Sequence, residues 1–211
     1  MKCDKKSLRL YAVTDRSWLN GETLLQQVEK SLKGGVSCLQ LREKELSYDE
    51  FLSEAIEIKE LCKEYSVPFI INDNVDIALK CKADGIHVGQ SDMLVTDVRR
   101  LVGEDMILGV SAQTVEQAIL AEKMGADYLG VGAVFSTSTK LDADSVSFDT
   151  LKAICNSVSI PVVAIGGITE DNLTELRGSG ICGVALVSAI YANHNIEETC
   201  KRLYSKIGEV I

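Results

Sequence analysis

Gln40, Arg42 and Lys44 alternate along a short apolar stretch, Cys38 to Arg42, that follows Gly34-Gly35. Read as a strand, this stretch puts an amide and two cations on one face, because successive strand side chains point opposite ways. Leu39 and Leu41 face the other way, toward a hydrophobic layer. Cations aligned at the end of an apolar strand suit a bound anion. A solvated strand end carrying ordinary surface charge is the alternative. Asn72-Asp73 and Asp92 each follow a later apolar run. Two carboxylates beside phosphate oxygens are a common way to hold Mg²⁺, although each residue could instead cap the helix that follows. Thr137-Ser138-Thr139-Lys140 offers three hydroxyls and a cation, which suits a diphosphate or a polar ring, or simply forms a solvated loop. Gly166-Gly167 and Val187-Ser188 end two further runs, where backbone N–H groups could cradle a phosphate; a tight turn without a ligand is the bland reading. Ser111 ends another. His87 lies inside an apolar run and reads as a satisfied core histidine. His194 reads as a loop residue, and Tyr11 and Trp18 as packing. No Ser-His-Asp or Cys-His arrangement is evident.

Eight apolar runs must position these groups. They are Leu8–Val13, Cys38–Arg42, Val67–Ile71, Gly85–Val88, Met106–Val110, Asp127–Gly132, Ile160–Ile165 and Gly183–Val187. A helical pattern follows each, from about Glu22, from Tyr48 to Tyr65, Val75 to Cys81, Val95 to Val102, Thr114 to Met124, Phe148 to Val158, Glu170 to Arg177 and Ile196 to Val210. Phe51, Ala55, Ile58 and Cys62 make a clear amphipathic stripe. Gly34-Gly35-Val36, Ala83-Asp84-Gly85, Gly125-Ala126-Asp127 and Gly180-Ile181-Cys182-Gly183 form a weak repeat joining helix to strand, with glycine suited to the helix end. Apolar rather than alternating strands fit a parallel sheet covered by helices. The expected fold is α/β, a single (β/α)8 TIM barrel over residues 1–211, with a doubly wound open sheet as the alternative. No Gly-x-Gly-x-x-Gly follows the first strand, which argues against a dinucleotide-binding version. In a barrel the polar groups above all fall at the C-terminal ends of the strands, where barrel active sites lie.

Composition narrows the function. The 211 residues carry 22 basic and 31 acidic side chains, a formal net charge of -9. An acidic chain with no basic run is a poor partner for nucleic acid or an anionic membrane, so any anion site must use a few focused cations. Seven scattered cysteines without a Cys-x-x-Cys are expected to be reduced, buried and free of zinc. No run is long enough to span a membrane, and Met1 to Lys6 leads into a strand without a signal-peptide core, so a cytoplasmic protein is expected.

Several segments together resemble the thiamine phosphate synthase (thiamine-phosphate pyrophosphorylase) family over almost the whole length. They are Tyr11 to Asp15, Gln40 to Lys44, Asn72-Asp73, His87 to Asp92, Gly109-Val110-Ser111, Thr137 to Lys140, Gly166-Gly167-Ile168 and Val187 to Ile190. The resemblance implies a (β/α)8 barrel that joins 4-amino-2-methyl-5-hydroxymethylpyrimidine diphosphate to a thiazole phosphate, releasing thiamine phosphate and pyrophosphate. It implies that the segment Gln40, Leu41, Arg42, Glu43 and Lys44 binds substrate. Gln40, Arg42, Lys44, Asn72, Ser111 and Lys140 would contact the pyrimidine diphosphate, with Arg42, Lys44, Lys140 and Ser111 catalytic. Asp73 and Asp92 would hold Mg²⁺. Thr137, Ser138, Thr139, Gly167, Val187 and Ser188 would contact the thiazole phosphate. Ser136 departs from the proline usual in the family, and Leu141 to Ser147 lacks its usual proline and glycine, which touches the order of that loop rather than its chemistry.

The expected partners are small-molecule substrates, with neither nucleic acid nor membrane; a homodimer is compatible with this reading. The loops Asp15 to Gly21 and Thr137 to Ser147 are candidate lids. A thiazole tautomerase on a related barrel is the nearest rival, but it would not need Arg42, Lys44, Asp73, Asp92 and Lys140 together. A non-catalytic phosphate-binding regulator is the rival of another class, and it would release no pyrophosphate.

Overall fold

The structure, a computed structural model, describes residues 3–89, 94–136 and 145–211. Eight parallel strands close into a barrel in chain order: β1 (Leu10–Val13), β2 (Cys38–Leu41), β3 (Phe69–Asn72), β4 (Gly85–Val88), β5 (Ile107–Ala112), β6 (Tyr128–Val131), β7 (Val162–Ile165) and β8 (Gly183–Leu186), with β8 pairing back onto β1. Around them lie α1 (Leu24–Lys33), α2 (Tyr48–Glu64), α3 (Val75–Lys80), α4 (Val95–Val102), α5 (Val115–Lys123), α6 (Phe148–Ser157), the short α7 (Ser188–Tyr191) and α8 (Ile196–Ile207). This is the (β/α)8 architecture expected from the strand and helix patterns.

Helix starts follow local chemistry. Thr23 with Gln26 and Ser47 with Glu50 form reciprocal capping boxes for α1 and α2, while Asn74, Thr114 and Ser147 cap α3, α5 and α6 with their side-chain oxygens. The helix expected over Glu170 to Arg177 is instead a single 3-10 turn, Leu173–Leu176. The Asn172 side chain donates to Gly167 O and accepts from Thr169 N, which holds the segment in a local turn. Buried Leu173 and Leu176, three apart, suit 3-10 geometry.

Strand alternation sorts side chains into two layers. Leu39, Leu41, Phe69, Ile71, Ile86, Val88, Leu108, Val110, Leu129 and Val131 pack outward against the helices. Tyr11, Val13, Cys38, Ile70, Tyr128, Val163 and Ala185 fill the interior, and Cys3 and Leu8 pack with them. All seven cysteines are free thiols, five of them buried.

At the end where helices lead into strands, two aspartates of the repeat serve structure. Asp84 accepts from Phe69 N and Lys59, and Asp127 from Leu108 N and Arg99. Each tightens the start of a neighbouring strand.

Interior glycines make room for large rings. A Cβ on Gly109 would lie 2.1 Å from Tyr128 Cζ, and one on Gly130 would lie 2.9 Å from His87 Cε1. Neither glycine has a positive φ, so space rather than backbone conformation is what requires them.

The loops after β1 and β2 are tied together. Thr14, fully buried, donates its backbone N–H to Gln40 O and accepts from Arg42 N at 3.0 Å, extending the pairing past the strand ends. Arg16 then bridges Glu43 and Glu54. Burial works against ionised Glu43. Hydrogen bonds from Glu45 N, the Arg16 guanidinium and Lys44 N outweigh it and hold the carboxyl below its usual value. Burial dominates at Glu54 and raises its carboxyl, with Arg16 only partly offsetting it.

Two outcomes follow from this packing. Gly109→Ala overfills the interior and should lower stability by about 1–3 kcal/mol. A urea midpoint equal to wild type would show that Tyr128 has room to move. Glu43→Gln should cost about 1–2 kcal/mol at neutral pH, from loss of charge-assisted bonds. Because the folded-state carboxyl of Glu43 is depressed, its contribution is complete above the ordinary value of 4.5 and is lost as pH falls through the lower folded value. The gap in stability between wild type and variant should therefore be constant above that pH and shrink below it; a gap that widens on acidification would contradict the assignment.

Candidate active site

The C-terminal ends of β1 to β5 bring most of the described candidates together. Gln40 points into the barrel and is 5% exposed. Arg42 lies just beyond β2, with its guanidinium 3.6 Å from the Asp15 carboxylate. Lys44 donates at 2.9 Å to Asp73 Oδ2, and Asn72, at the end of β3, donates to the same oxygen. Asp73 has φ +62°, a left-handed turn that brings its carboxylate beside the β2 loop. Neither Asn72 nor Asp73 caps α3, since Asn74 does so, and the capping alternative is thereby removed for both. The α4 N-cap position is Leu94, which has no side-chain cap. An open cavity of about 520 Å³ lies at this rim, lined by Lys44, Asn72, Asp73 and Phe51 among others.

One residue assigned to substrate contact has its side chain placed elsewhere. The Leu41 side chain is fully buried in the outer layer between barrel and helices, because it alternates with inward-facing Gln40. Glu43 lines the rim cavity, with its carboxylate engaged in the ion pair with Arg16 and its side chain 2% exposed. Asp92, Thr137, Ser138, Thr139 and Lys140 lie outside the described residues.

On the far side of the mouth, Gly166 and Gly167 have φ +98° and +64°. A Cβ on Gly167 would lie 2.3 Å from Ser136 O, and Phe135 N donates to Gly166 O. These glycines let the loops after β6 and β7 lie against each other. Val187 and Ser188, both half-buried, lead into α7, whose first N–H groups lack intrahelical partners by construction.

Beneath the rim runs a chain of polar groups that joins two expected substrate contacts, Gln40 and Ser111, through Tyr128 and through Tyr11 and His87, whose types and positions in the sequence suggest only packing and core. Gln40 Nε2 donates to Tyr11 OH at 2.7 Å; Tyr11 OH and Tyr128 OH are 2.8 Å apart; Tyr128 OH lies 3.0 Å from His87 Nδ1; and His87 Nε2 lies 3.0 Å from Ser111 Oγ. Burial raises the phenols of Tyr11 and Tyr128 well above their usual value, so both are neutral hydroxyls. The sequence signal was alternation: Gly109 and Ser111 share a face, as do Tyr128 and Gly130, so a large polar residue sits where neighbouring strands carry small ones. Ser111, His87 and Tyr128 resemble a nucleophilic triad in outline. The third member is a neutral phenol, however, which orients an imidazole without stabilising its cation as a carboxylate would. Burial also raises the thiols, those of Cys3, Cys62 and Cys200 to about 12, so they are poor nucleophiles.

The donor set can be tested against a divalent cation. Asp73 supplies hard oxygen at the mouth. Mg²⁺ usually takes one or two carboxylates and keeps water and phosphate as its other ligands, so one described carboxylate fits. Among the described residues no group of three or more His, Cys, Asp or Glu could enclose a metal. What the rim offers is cations for an anion, a carboxylate for a hard metal, and a preorganised amide and hydroxyl below.

Comparison with known proteins agrees with this geometry. A family profile described as thiamine monophosphate synthase matches residues 10–190. A thiamine-phosphate synthase of Clostridium botulinum is 50% identical over 207 residues, covering 98% of this chain and 97% of that one. One of Ruminiclostridium cellulolyticum is 52% identical over 194 residues, covering 92% of each. The solved thiamine phosphate pyrophosphorylase of Pyrococcus furiosus superimposes with a TM-score of 0.91 at 35% identity, covering 98% of both chains. With matches spanning nearly its whole length, the chain belongs to the thiamine monophosphate synthase family.

Proposed function

We propose that this chain condenses 4-amino-2-methyl-5-hydroxymethylpyrimidine diphosphate with 4-methyl-5-(2-phosphooxyethyl)thiazole, or its carboxylated form with loss of CO2, to give thiamine phosphate and pyrophosphate. The observation that carries this reading is the placement of Lys44 beside Asn72 and Asp73, with Arg42 beside Asp15, at the C-terminal mouth, in a chain of this family. The bond between the pyrimidine methylene and the diphosphate oxygen breaks, and its electron pair leaves with the oxygen. The electron-rich aminopyrimidine spreads the positive charge left behind. The thiazole nitrogen then donates its lone pair to the methylene carbon.

Arg42, Lys44 and Lys140 stabilise the negative charge that grows on the departing diphosphate, the electrostatic role such groups usually play. Lys44 exchanges the Asp73 carboxylate for phosphate oxygens when substrate enters. Asp73 and Asp92 are the residues that would hold Mg²⁺, which when bound adds positive charge beside the leaving group. Gln40, Asn72 and Ser111 orient the pyrimidine. Thr137, Ser138, Thr139, Gly167, Val187 and Ser188 take the thiazole phosphate. No protein nucleophile is needed; alignment of two substrates with water excluded supplies the rate. Among the described residues no helix is long and apolar enough to cross a membrane; a cytoplasmic location and a homodimer belong to this reading.

A coupled pyrophosphate assay with both substrates tests the reaction, and no release from purified, folded protein would remove the reading. Arg42→Ala should lower turnover on the order of 10²-fold, as loss of a transition-state charge contact does; a near-wild-type rate would take Arg42 out of its role. Activity should vanish with EDTA and return with Mg²⁺, and unchanged turnover in chelator would remove the metal from the scheme.

A further inference from the structure

The interior of this barrel could be filled with aliphatic side chains, yet its centre holds a chain of hydrogen-bonded polar groups drawn from five strands. Gln40 on β2, Tyr11 on β1, Tyr128 on β6, His87 on β4 and Ser111 on β5 are linked by four successive bonds of 2.7 to 3.0 Å. Tyr11 is 2% exposed and Tyr128 fully buried. A buried hydroxyl left without a partner is costly, so such a chain is tolerable only when complete. Gly109 and Gly130 are kept free of side chains where the Tyr128 and His87 rings lie.

We propose that Tyr11, Tyr128 and His87 are positioning residues that lock the Gln40 amide and the Ser111 hydroxyl, and so set which hydrogen-bonding pattern on a pyrimidine ring the site accepts. This rests on the reading that Gln40 and Ser111 face the pyrimidine substrate.

The proton inventory gives the chain a direction. The Gln40 amide nitrogen can only donate, so the Tyr11 oxygen accepts from it. Each neutral phenol has one hydrogen to give. Tyr11 gives its hydrogen to Tyr128, and Tyr128 gives its own to His87 Nδ1. A neutral imidazole that accepts at Nδ1 carries its hydrogen on Nε2, and this one is donated to Ser111 Oγ. Turning the Gln40 amide over would require every hydrogen in the chain to reverse and His87 to change tautomer. With its nitrogen committed to Tyr11, Gln40 offers its oxygen to a ligand donor, such as an exocyclic amine. An aminopyrimidine presents that donor. A pyrimidine with an oxo group in place of the amine presents an acceptor where Gln40 already offers one. Two acceptors facing each other are repulsive, so the locked amide selects against the oxo ring.

Tyr128→Phe keeps the ring and cuts the chain at its centre, freeing the amide to turn. Binding is read as the KM for the aminopyrimidine diphosphate and as the inhibition constant of its oxo analogue, so that the poorer chemistry of the oxo ring does not enter. The expected result is a preference for amino over oxo that narrows by about ten-fold, the worth of one modest hydrogen bond, with the KM for the thiazole phosphate unchanged. Adding Tyr128→Phe to Ser111→Ala should cost less than it does in the wild-type background, because the two act through one chain. Ring-nitrogen NMR of ¹⁵N-labelled protein, which has only two histidines, should show His87 as a single Nε2–H tautomer that becomes mixed in the variant. This last readout needs no substrate, and Tyr11→Phe serves as the second variant should Tyr128→Phe fold poorly. An unchanged amino-to-oxo preference with additive penalties and an unchanged tautomer would overturn the proposal. Wild-type protein that releases no pyrophosphate would instead overturn the substrate reading, while the tautomer measurement still reported on the chain.

Discussion

A closed eight-stranded barrel has an interior that side chains must fill, and every inward position on one strand competes for space with those on the strands across from it. In this chain the competition is resolved by pairing large with small. Tyr128 occupies the volume left by Gly109, and His87 that left by Gly130. The two tyrosines then meet hydroxyl to hydroxyl at the centre, and their neighbours must supply the remaining polar partners. Filling the core and orienting Gln40 and Ser111 are thus one constraint. The polar floor beneath the mouth is rigid because it is also the packing of the barrel.

Above that floor the mouth is electrostatically prepared. The whole chain carries a net charge of -9, so an anion is drawn only where cations are concentrated and held. Arg42 and Lys44 are held by Asp15 and Asp73. These pairs are partly exposed and contribute little to stability, as surface ion pairs usually do. Their consequence is positional: both cations are kept at the rim, within reach of a ligand that can compete for them. The deeper ion pair of Arg16 with Glu43 and Glu54 anchors the backbone that carries them. Rim and anchor divide the labour, one exchangeable and one fixed.

The glycines after β7 illustrate how one residue type can satisfy two demands. Gly166 and Gly167 adopt left-handed φ values and let the preceding loop pass within contact of their backbone. Loop packing alone therefore accounts for their presence, and any phosphate contact would be an added use of the same exposed backbone.

Much of the fold was written into the order of residues along the chain. Apolar runs of strand length, amphipathic helices between them and glycine at the joints define eight β–α units, and capping residues such as Ser47, Thr114 and Ser147 fix helix starts through bonds only three residues long. The cations after β2 and the carboxylate after β3 were legible for the same reason: alternation and chain order place them at strand ends. Where a segment's side chains could bond locally, as at Thr169 and Asn172, the expected helix gave way to a turn. What only the tertiary structure decided is which side chains meet across the barrel. Tyr11 and Tyr128 are 117 positions apart, and their contact depends on strand register and closure. Leu41 turns away from the mouth because it must pack the outer layer, and Glu43, although it lines the rim cavity, has its carboxylate committed to Arg16. Local chemistry determines elements and their ends, whereas an interior shared by eight strands is fixed only once the ring is closed.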